Sequence, residues 1–267
     1  MPVFHLILVA LIQGITEFLP VSSSGHLILL PNLTGLEDQG QTIDVAVHVG
    51  TLGAVVLYFW SDVRRAAIGL PKVARRQIDD QNAWLALCLI IATVPVIIAG
   101  LLLKITGLDD AMRSIAVVGW ATLVFGLILY WADQTGGQEK SADRWSLKDA
   151  TLMGIAQALA LIPGTSRSGI TITAARRLGY QRSDAARLAM LMSIPTILAS
   201  GTLLGLEVAF TMDAAAARDA AIAAAFAFVA ALVALALMMR LLKSVSFTPY
   251  VIYRIALGLV LLWVAYS

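Results

Sequence analysis

Pro163-Gly164-Thr165-Ser166-Arg167-Ser168-Gly169 breaks an apolar stretch that runs from about 150 to 178, and Pro20-Val21-Ser22-Ser23-Ser24-Gly25-His26 breaks another that begins at residue 3. A hydrocarbon core about 30 Å thick takes about 20 apolar residues to cross, and the piece after the first break, Leu27 to Leu33, is too brief to do so. Outside these broken stretches lie six uninterrupted spans, at about 43–60, 83–105, 113–132, 186–209, 215–240 and 248–266. Residues 3–19 lack the positive start and small-residue cleavage site of a signal peptide and are read as mature protein. Of the 267 residues, 59% are hydrophobic and 13% charged, against roughly 25% charged in a soluble domain, which excludes an ordinary soluble enzyme. A net charge of +2 is too small to imply nucleic acid, and the single Cys88 can form no internal disulfide.

The lysines and arginines test whether the broken stretches cross or turn back, because cytoplasmic loops carry the excess positive charge. With both stretches re-entrant, one side collects Arg64, Arg65, Lys72, Arg75, Arg76, Lys140, Arg144, Lys148, Arg176, Arg177, Arg182, Arg187, Arg240 and Lys243, 14 of the 19. The other side holds Lys104, Arg113 and Arg218. If the second stretch crossed, the clusters at 140–148 and 176–187 would face opposite sides and the bias would largely disappear. The expected fold is an all-α integral membrane protein with six transmembrane helices and two re-entrant helix-loop-helix hairpins, both termini outside. Little positive charge precedes the first stretch, so its re-entrance rests on an internal repeat. At an offset of 144, Gln13, Ser22, Ser24, Gly25 and Ile28 fall on Gln157, Ser166, Ser168, Gly169 and Ile172; at an offset of 100, Pro95, Ile97, Ala99 and Leu103 fall on Pro195, Ile197, Ala199 and Leu203. An odd number of crossings in each half gives one membrane domain of two inverted repeats, about 1–132 and 148–267. Such repeats bring discontinuous helices to the midplane, where irregular backbone lines a cavity.

A charge at the centre of a span costs roughly 2.5 to 3.5 kcal/mol on the lenient insertion scales, so the ionisable residues left at membrane depth are informative. They are Glu17, His26, Arg167 and Arg254, and three of the four lie in the broken stretches. If the hairpins meet, a carboxylate, an imidazole and a guanidinium converge on one pocket. Arg167 offers a planar fork suited to phosphate, with Ser166, Ser168, Thr171 and the amides around Gly164 and Gly169 as further donors. The ligand so described is an anion, most plausibly a phosphate. Serines and glycines in membrane helices also serve close packing or backbone bonding, and that bland role competes for Ser24 and Ser168. Glu17 alternatively sits at a helix end near the interface, and His26 alternatively bonds to backbone. Arg254 either snorkels as a support or contacts phosphate. Asp44 and His48 share a helix face at i, i+4, too weak a signal for a metal; they are expected to be polar lining or interface residues. His5, Glu207 and Cys88 receive no role. Trp60, Trp84, Trp131 and Trp145 fall where an aromatic belt would.

The run from Gln13 to His26, together with Pro163 to Thr171, resembles the bacterial undecaprenyl pyrophosphate phosphatase family, also called the bacitracin-resistance protein family. The first run is similar to that family's (Glu/Gln)-x-x-x-Glu motif with its Ser-Ser-x-Gly-His continuation, the second to its Pro-Gly-x-Ser-Arg-Ser-x-x-Thr motif. The likeness extends to Thr42-Ile43-Asp44 and to Phe247 through Arg254, so it covers essentially the whole chain. The resemblance implies an inner-membrane enzyme that removes the terminal phosphate of a 55-carbon lipid pyrophosphate, recycling the carrier for peptidoglycan synthesis and conferring bacitracin resistance. It carries functional roles to Glu17, Ser23, His26, Ser166, Arg167 and Thr171, with Gln13 and Ser22 supporting. It also implies a divalent cation, magnesium or calcium, with Glu17 as ligand and an active site opening to the periplasm. Gln13 stands where many members carry Glu, which removes one acidic ligand. Magnesium is commonly held by one or two carboxylates plus substrate phosphates.

Phosphoanhydride hydrolysis is mainly positioning and charge stabilisation, a task for Arg167, Ser166, Thr171 and the cation. His26 is either nucleophile or general base, with Glu17 orienting it or binding metal; a nucleophilic Ser23 activated by His26 is the rival scheme. The acid-phosphatase-type lipid phosphatases are rejected, since their pattern needs His and Asp where Thr173 and Arg177 stand. A transporter or flippase for a polyprenyl phosphate is the alternative of another class. The expected partners are the lipid substrate and membrane lipids, and Gly201 and Gly205 permit tight helix contact within one chain or between two copies in a homodimer.

Overall fold

The structure, a computed structural model, describes residues 2–35, 39–108, 112, 114–209 and 213–267, and side chains for all of these except 31–34 and 203–209. Arg113 lies outside the described residues, and Gly205 and Glu207 lie outside those whose side chains are described. The described chain is α-helical, in the order α1 (Val3–Thr16), α2 (Ser23–Thr34), α3 (Gly40–Tyr58), α4 (Trp60–Ala74), α5 (Gln81–Thr106), α6 (Ile115–Thr135), α7 (Leu147–Ala158), α8 (Arg167–Arg177), α9 (Arg182–Ala209), α10 (Ala214–Leu241) and α11 (Thr248–Tyr266). Among the described residues six helices, α3, α5, α6, α9, α10 and α11, are long and apolar enough to cross a membrane. They coincide with the six expected spans to within a few residues, and the protein is a multi-pass membrane protein. At about 1.5 Å per residue, the 14 residues of α1 and the 12 of α7 reach only about two thirds of a hydrocarbon core.

Two helices of the broken stretches are packed by close backbone approach. A Cβ on Gly14 of α1 would lie 2.6 Å from Ala230 Cβ of α10, and one on Gly154 of α7 would lie 2.5 Å from Ala92 O of α5. Gly201, by contrast, has no atom of the described residues within 4 Å of such a Cβ, so no described helix packs tightly on it. The basic residues at 64–76 stand largely on α4, a helix the hydropathy pattern did not announce; its apolar Val63 and Leu70 face α5 and α9, Arg64 is exposed, and Arg65 reaches the Gln81 and Asn82 side chains at the start of α5. Asp80 caps α5 by accepting from the Asn82 and Ala83 amides at 3.0 and 2.8 Å. The Ala83 amide and Lys72 hold its carboxyl below the usual range.

Several charges near the ends of segments are buried. Arg176, fully buried, donates to Asp133 Oδ1 and O at 3.0 Å, to Gly136 O at 3.2 Å, to Gly137 O at 2.8 Å and to Tyr180 O. Asp149 near the start of α7 accepts from Tyr180 Oη at 2.7 Å and Lys140 Nζ at 3.0 Å. The beginning of α7 and the segment that follows α8 are thus tied together. Trp145 is buried in the same region at 3% exposure, its carbonyl accepting from Trp84 Nε1 at 2.7 Å. It packs inside the protein and does not belong to an aromatic belt; Trp60 and Trp131 are exposed.

Candidate active site

The two breaks fold into loops of matching shape. Glu17 caps the end of α1, the chain turns through Pro20, and Ser22 adopts φ +73° before α2 begins at Ser23. After α7, the chain turns through Pro163 and Gly164, and Ser166 adopts φ +67° before α8 begins at Arg167. Left-handed backbone is unfavourable for a residue with a Cβ, and a short polar side chain that bonds locally makes it tolerable. Ser22 Oγ lies 3.1 Å from Ser24 Oγ, Ser166 Oγ lies 3.1 Å from Ser168 Oγ, and Ser166 also accepts from the Gly169 amide at 3.2 Å. The loops then hold one another. Gly164 N donates to Ser24 Oγ at 3.1 Å, and Ser168 Oγ donates to Leu19 O at 3.0 Å.

Consecutive residues of α11 grip one hairpin each. Arg254, fully buried, donates to Gly164 O at 3.1 Å, Thr165 O at 2.9 Å and Thr122 O at 3.1 Å. Tyr253 stacks on His26 with ring centroids 5.5 Å apart and donates its hydroxyl to His26 Nε2 at 2.6 Å. That direction follows from the other ring nitrogen. Nδ1 lies 2.7 Å from Ser22 O, which can only accept, so Nδ1 carries the proton and Nε2 is bare in the neutral ring.

Where the loops meet, Arg167 Nη2 donates to Glu17 Oε1 across 150 residues of sequence. Glu17 Oε2 accepts from Gln13 Nε2 at 2.7 Å and Ser23 Oγ at 3.3 Å, and His48 Nε2 stands 3.9 Å away. A carboxylate only 9% exposed needs such donors to remain charged. Beside the pair opens a cavity of about 410 Å³, lined by Glu17, Ser22, Ser23, Ser24, His48, Gly164, Ser166 and Arg167, with Val96, Leu161 and Ile197 as apolar wall. The other N–H donors of Arg167 take no protein partner among the described residues. Free guanidinium donors, hydroxyls and the start of α8 on this wall of the cavity are groups of the kind that bind anions.

The expected convergence of carboxylate and guanidinium is found, but the imidazole at the cavity is His48, not His26. His26 is absent from the cavity lining because its ring is held between Ser22 O and Tyr253. Thr171 is also elsewhere: its buried hydroxyl donates to Arg167 O at 2.8 Å and Ser168 O at 3.1 Å, bracing the first turn of α8. Ser168 is a tie to the first loop, and of the two roles expected for Arg254 its geometry is that of a support. Gln13 is buried behind Glu17. Asp44 and His48 do not form a ligand pair, since His48 Nδ1 bonds the Asp44 carbonyl at 2.7 Å while Asp44 Oδ1 accepts from Gln39 at 2.8 Å. Among the described residues no three His, Cys, Asp or Glu side chains cluster to hold a metal. Glu17 is the carboxylate at the cavity, and together with phosphate oxygens it fits the sparse protein ligation that magnesium accepts. Gln13 turns its nitrogen toward Glu17 and so acts as a donor to it. Tyr253 and Thr122 were not legible as site supports, because nothing local marks them.

Comparison with known proteins sharpens the assignment. Residues 6–260 match the family model described as bacitracin resistance protein BacA. The chain is similar along its full length to proteins named undecaprenyl-diphosphatase from Roseobacter denitrificans, 71% identical, and Ruegeria pomeroyi, 72% identical, with 100% of each chain covered. It is also similar to one of the same name from Saccharophagus degradans, 44% identical over 97% of this chain and 96% of that protein.

Proposed function

We propose that this chain, which belongs to the bacitracin resistance protein BacA family, is a phosphatase that hydrolyses undecaprenyl diphosphate to undecaprenyl phosphate and inorganic phosphate, recycling the carrier for peptidoglycan synthesis. Bacitracin resistance follows from faster removal of the diphosphate. The observation that carries the reading is the Glu17–Arg167 pair at a polar cavity, with Ser23 on the same carboxylate and free guanidinium donors beside it. Arg167 and Ser166 hold the terminal phosphate, and the apolar wall receives the first isoprene units. Ser23 is the nucleophile this geometry favours. Its proton passes to Glu17 as Oγ attacks the terminal phosphorus, the bond to the bridging oxygen breaks, and undecaprenyl phosphate leaves. Glu17 passes that proton to the departing undecaprenyl phosphate and, ionised again, takes a proton from the water that attacks the seryl phosphorus, returning it to Ser23 Oγ as inorganic phosphate leaves. Most of the acceleration comes from Arg167, which neutralises charge on the transferring group. Glu17, with phosphate oxygens of the substrate, would hold a magnesium or calcium ion, which would add charge neutralisation.

The two hairpins are read as re-entrant and the halves as an inverted repeat in the bacterial inner membrane, with the cavity opening to the periplasm. Support comes from packing: α1 lies along α10 as α7 lies along α5. On this reading α5 corresponds to α10, and the likeness of the Pro95 and Pro195 segments, which would match α5 with α9, is a chance identity. The test is phosphate release from undecaprenyl diphosphate by purified protein in detergent, with and without chelator. Cation-dependent release is expected. No release from well-folded protein overturns the reading and favours a carrier of the same lipid, to be assayed by translocation in vesicles.

A further inference from the structure

His48 lines the cavity, yet nothing in the family motifs singles it out. It stands midway along α3, which packs against α1, α9 and α10. Its Nδ1 lies 2.7 Å from Asp44 O, a pure acceptor, so in the neutral ring Nδ1 carries the hydrogen and Nε2 is a bare acceptor. That lone pair lies 3.2 Å from Gln13 Nε2, whose other N–H goes to Glu17 Oε2 at 2.7 Å. One amide nitrogen therefore bridges imidazole and carboxylate. The reverse orientation of the Gln13 side chain would set its carbonyl oxygen against both a carboxylate oxygen and a bare ring nitrogen, two repulsive contacts in a fully buried position. The charged groups facing His48 are Glu17 and, through it, Arg167.

We propose that His48 is a positioning residue of the phosphatase site: anchored by the Asp44 carbonyl, it fixes the orientation of Gln13, and Gln13 in turn fixes the Glu17 carboxylate against Ser23 and Arg167. The inference rests on the phosphatase reading. Without His48 the amide loses one acceptor and is free to rotate, Glu17 loses a reliable donor, and its alignment with Ser23 loosens. Because phosphoryl transfer depends chiefly on alignment, the loss falls on kcat and spares substrate binding, which Arg167 and Ser166 provide.

The experiment is a double-mutant cycle on purified full-length protein, with His48→Ala, Gln13→Leu and the double variant assayed for kcat and KM on undecaprenyl diphosphate. His48→Ala is expected to lower kcat about tenfold, the worth of one hydrogen bond that orders a reacting group, with KM within about twofold. The double variant is expected to be no worse than Gln13→Leu alone, because His48 acts through Gln13. His48→Gln, which offers a carbonyl acceptor, recovers activity to within about threefold of wild type and guards against a fold defect in the alanine variant. Multiplying losses in the double variant, an unchanged kcat in His48→Ala, or an effect confined to KM overturns the proposal. Wild-type activity is measured first. Its absence defeats the phosphatase reading alone, and the coupling is then read from thermal unfolding midpoints of the same four proteins, where additivity would defeat the His48 proposal separately.

Discussion

The loop between α1 and α2 and the loop between α7 and α8 share a backbone shape and differ in charge. Each passes through a serine with positive φ, Ser22 or Ser166, and each pairs that hydroxyl with the serine two residues on at 3.1 Å. The first loop brings a carboxylate and no cation; the second brings Arg167 and no carboxylate. Their supports differ as well. The second is held by a buried arginine through two of its carbonyls, those of Gly164 and Thr165, the first by a tyrosine on an imidazole. Neither loop contains a reaction centre by itself, and a buried lone charge in either would be costly. The site exists only where the two are docked, which is why the reciprocal bonds from Ser24 and Ser168 matter to chemistry they do not touch.

The comparison breaks most sharply at Arg167. Arg167→Ala is expected to lower phosphate release by at least about 10³-fold, and Arg167→Lys by about 10²-fold because a point charge replaces a fork; activity within tenfold of wild type in the alanine variant would show that the second loop does not hold the phosphate. The supports come next. Arg254→Leu removes three buried guanidinium hydrogen bonds, to Thr122 O, Gly164 O and Thr165 O, and is expected to destabilise the protein by about 3 kcal/mol. Tyr253→Phe removes one hydrogen bond and is expected to cost about 1 kcal/mol, both read as thermal unfolding in detergent. Equal effects would mean that the loops are supported alike. The smallest effect tests the likeness itself: Ser24→Ala and Ser168→Ala are each expected to cost about 1 kcal/mol. A large inequality would show that one loop carries the docking.

The six spans and the two breaks were legible because hydropathy and length leave few alternatives for a chain with so few charges. Helix starts follow the spacing of the serines: α1 and α7 begin at Val3 and Leu147, and α2 and α8 at Ser23 and Arg167, both pairs separated by 144 residues. Helix α4 was hidden, because apolar and basic residues alternate along it and the segment is too polar to span. Glu17 and Arg167 stood out as charges that a membrane interior tolerates only with a partner. The choice of imidazole did not. His26 follows a polar serine run and His48 an apolar Val45-Ala46-Val47 run, and which of them meets Glu17 depends on contacts made by α3 and α11 across long separations. The buried pair of Arg176 and Asp133 was hidden for the same reason: position near a segment end says nothing of a partner 43 residues away.

The most direct test of a site assembled from two loops is a cycle of Glu17→Gln, Arg167→Ala and the double variant, scored by kcat/KM on undecaprenyl diphosphate. If the residues act as one unit, each single variant loses at least about 10²-fold and the double variant is no worse than the more damaged single. Losses that multiply in the double variant would mean that the two loops contribute independently, and would contradict the account.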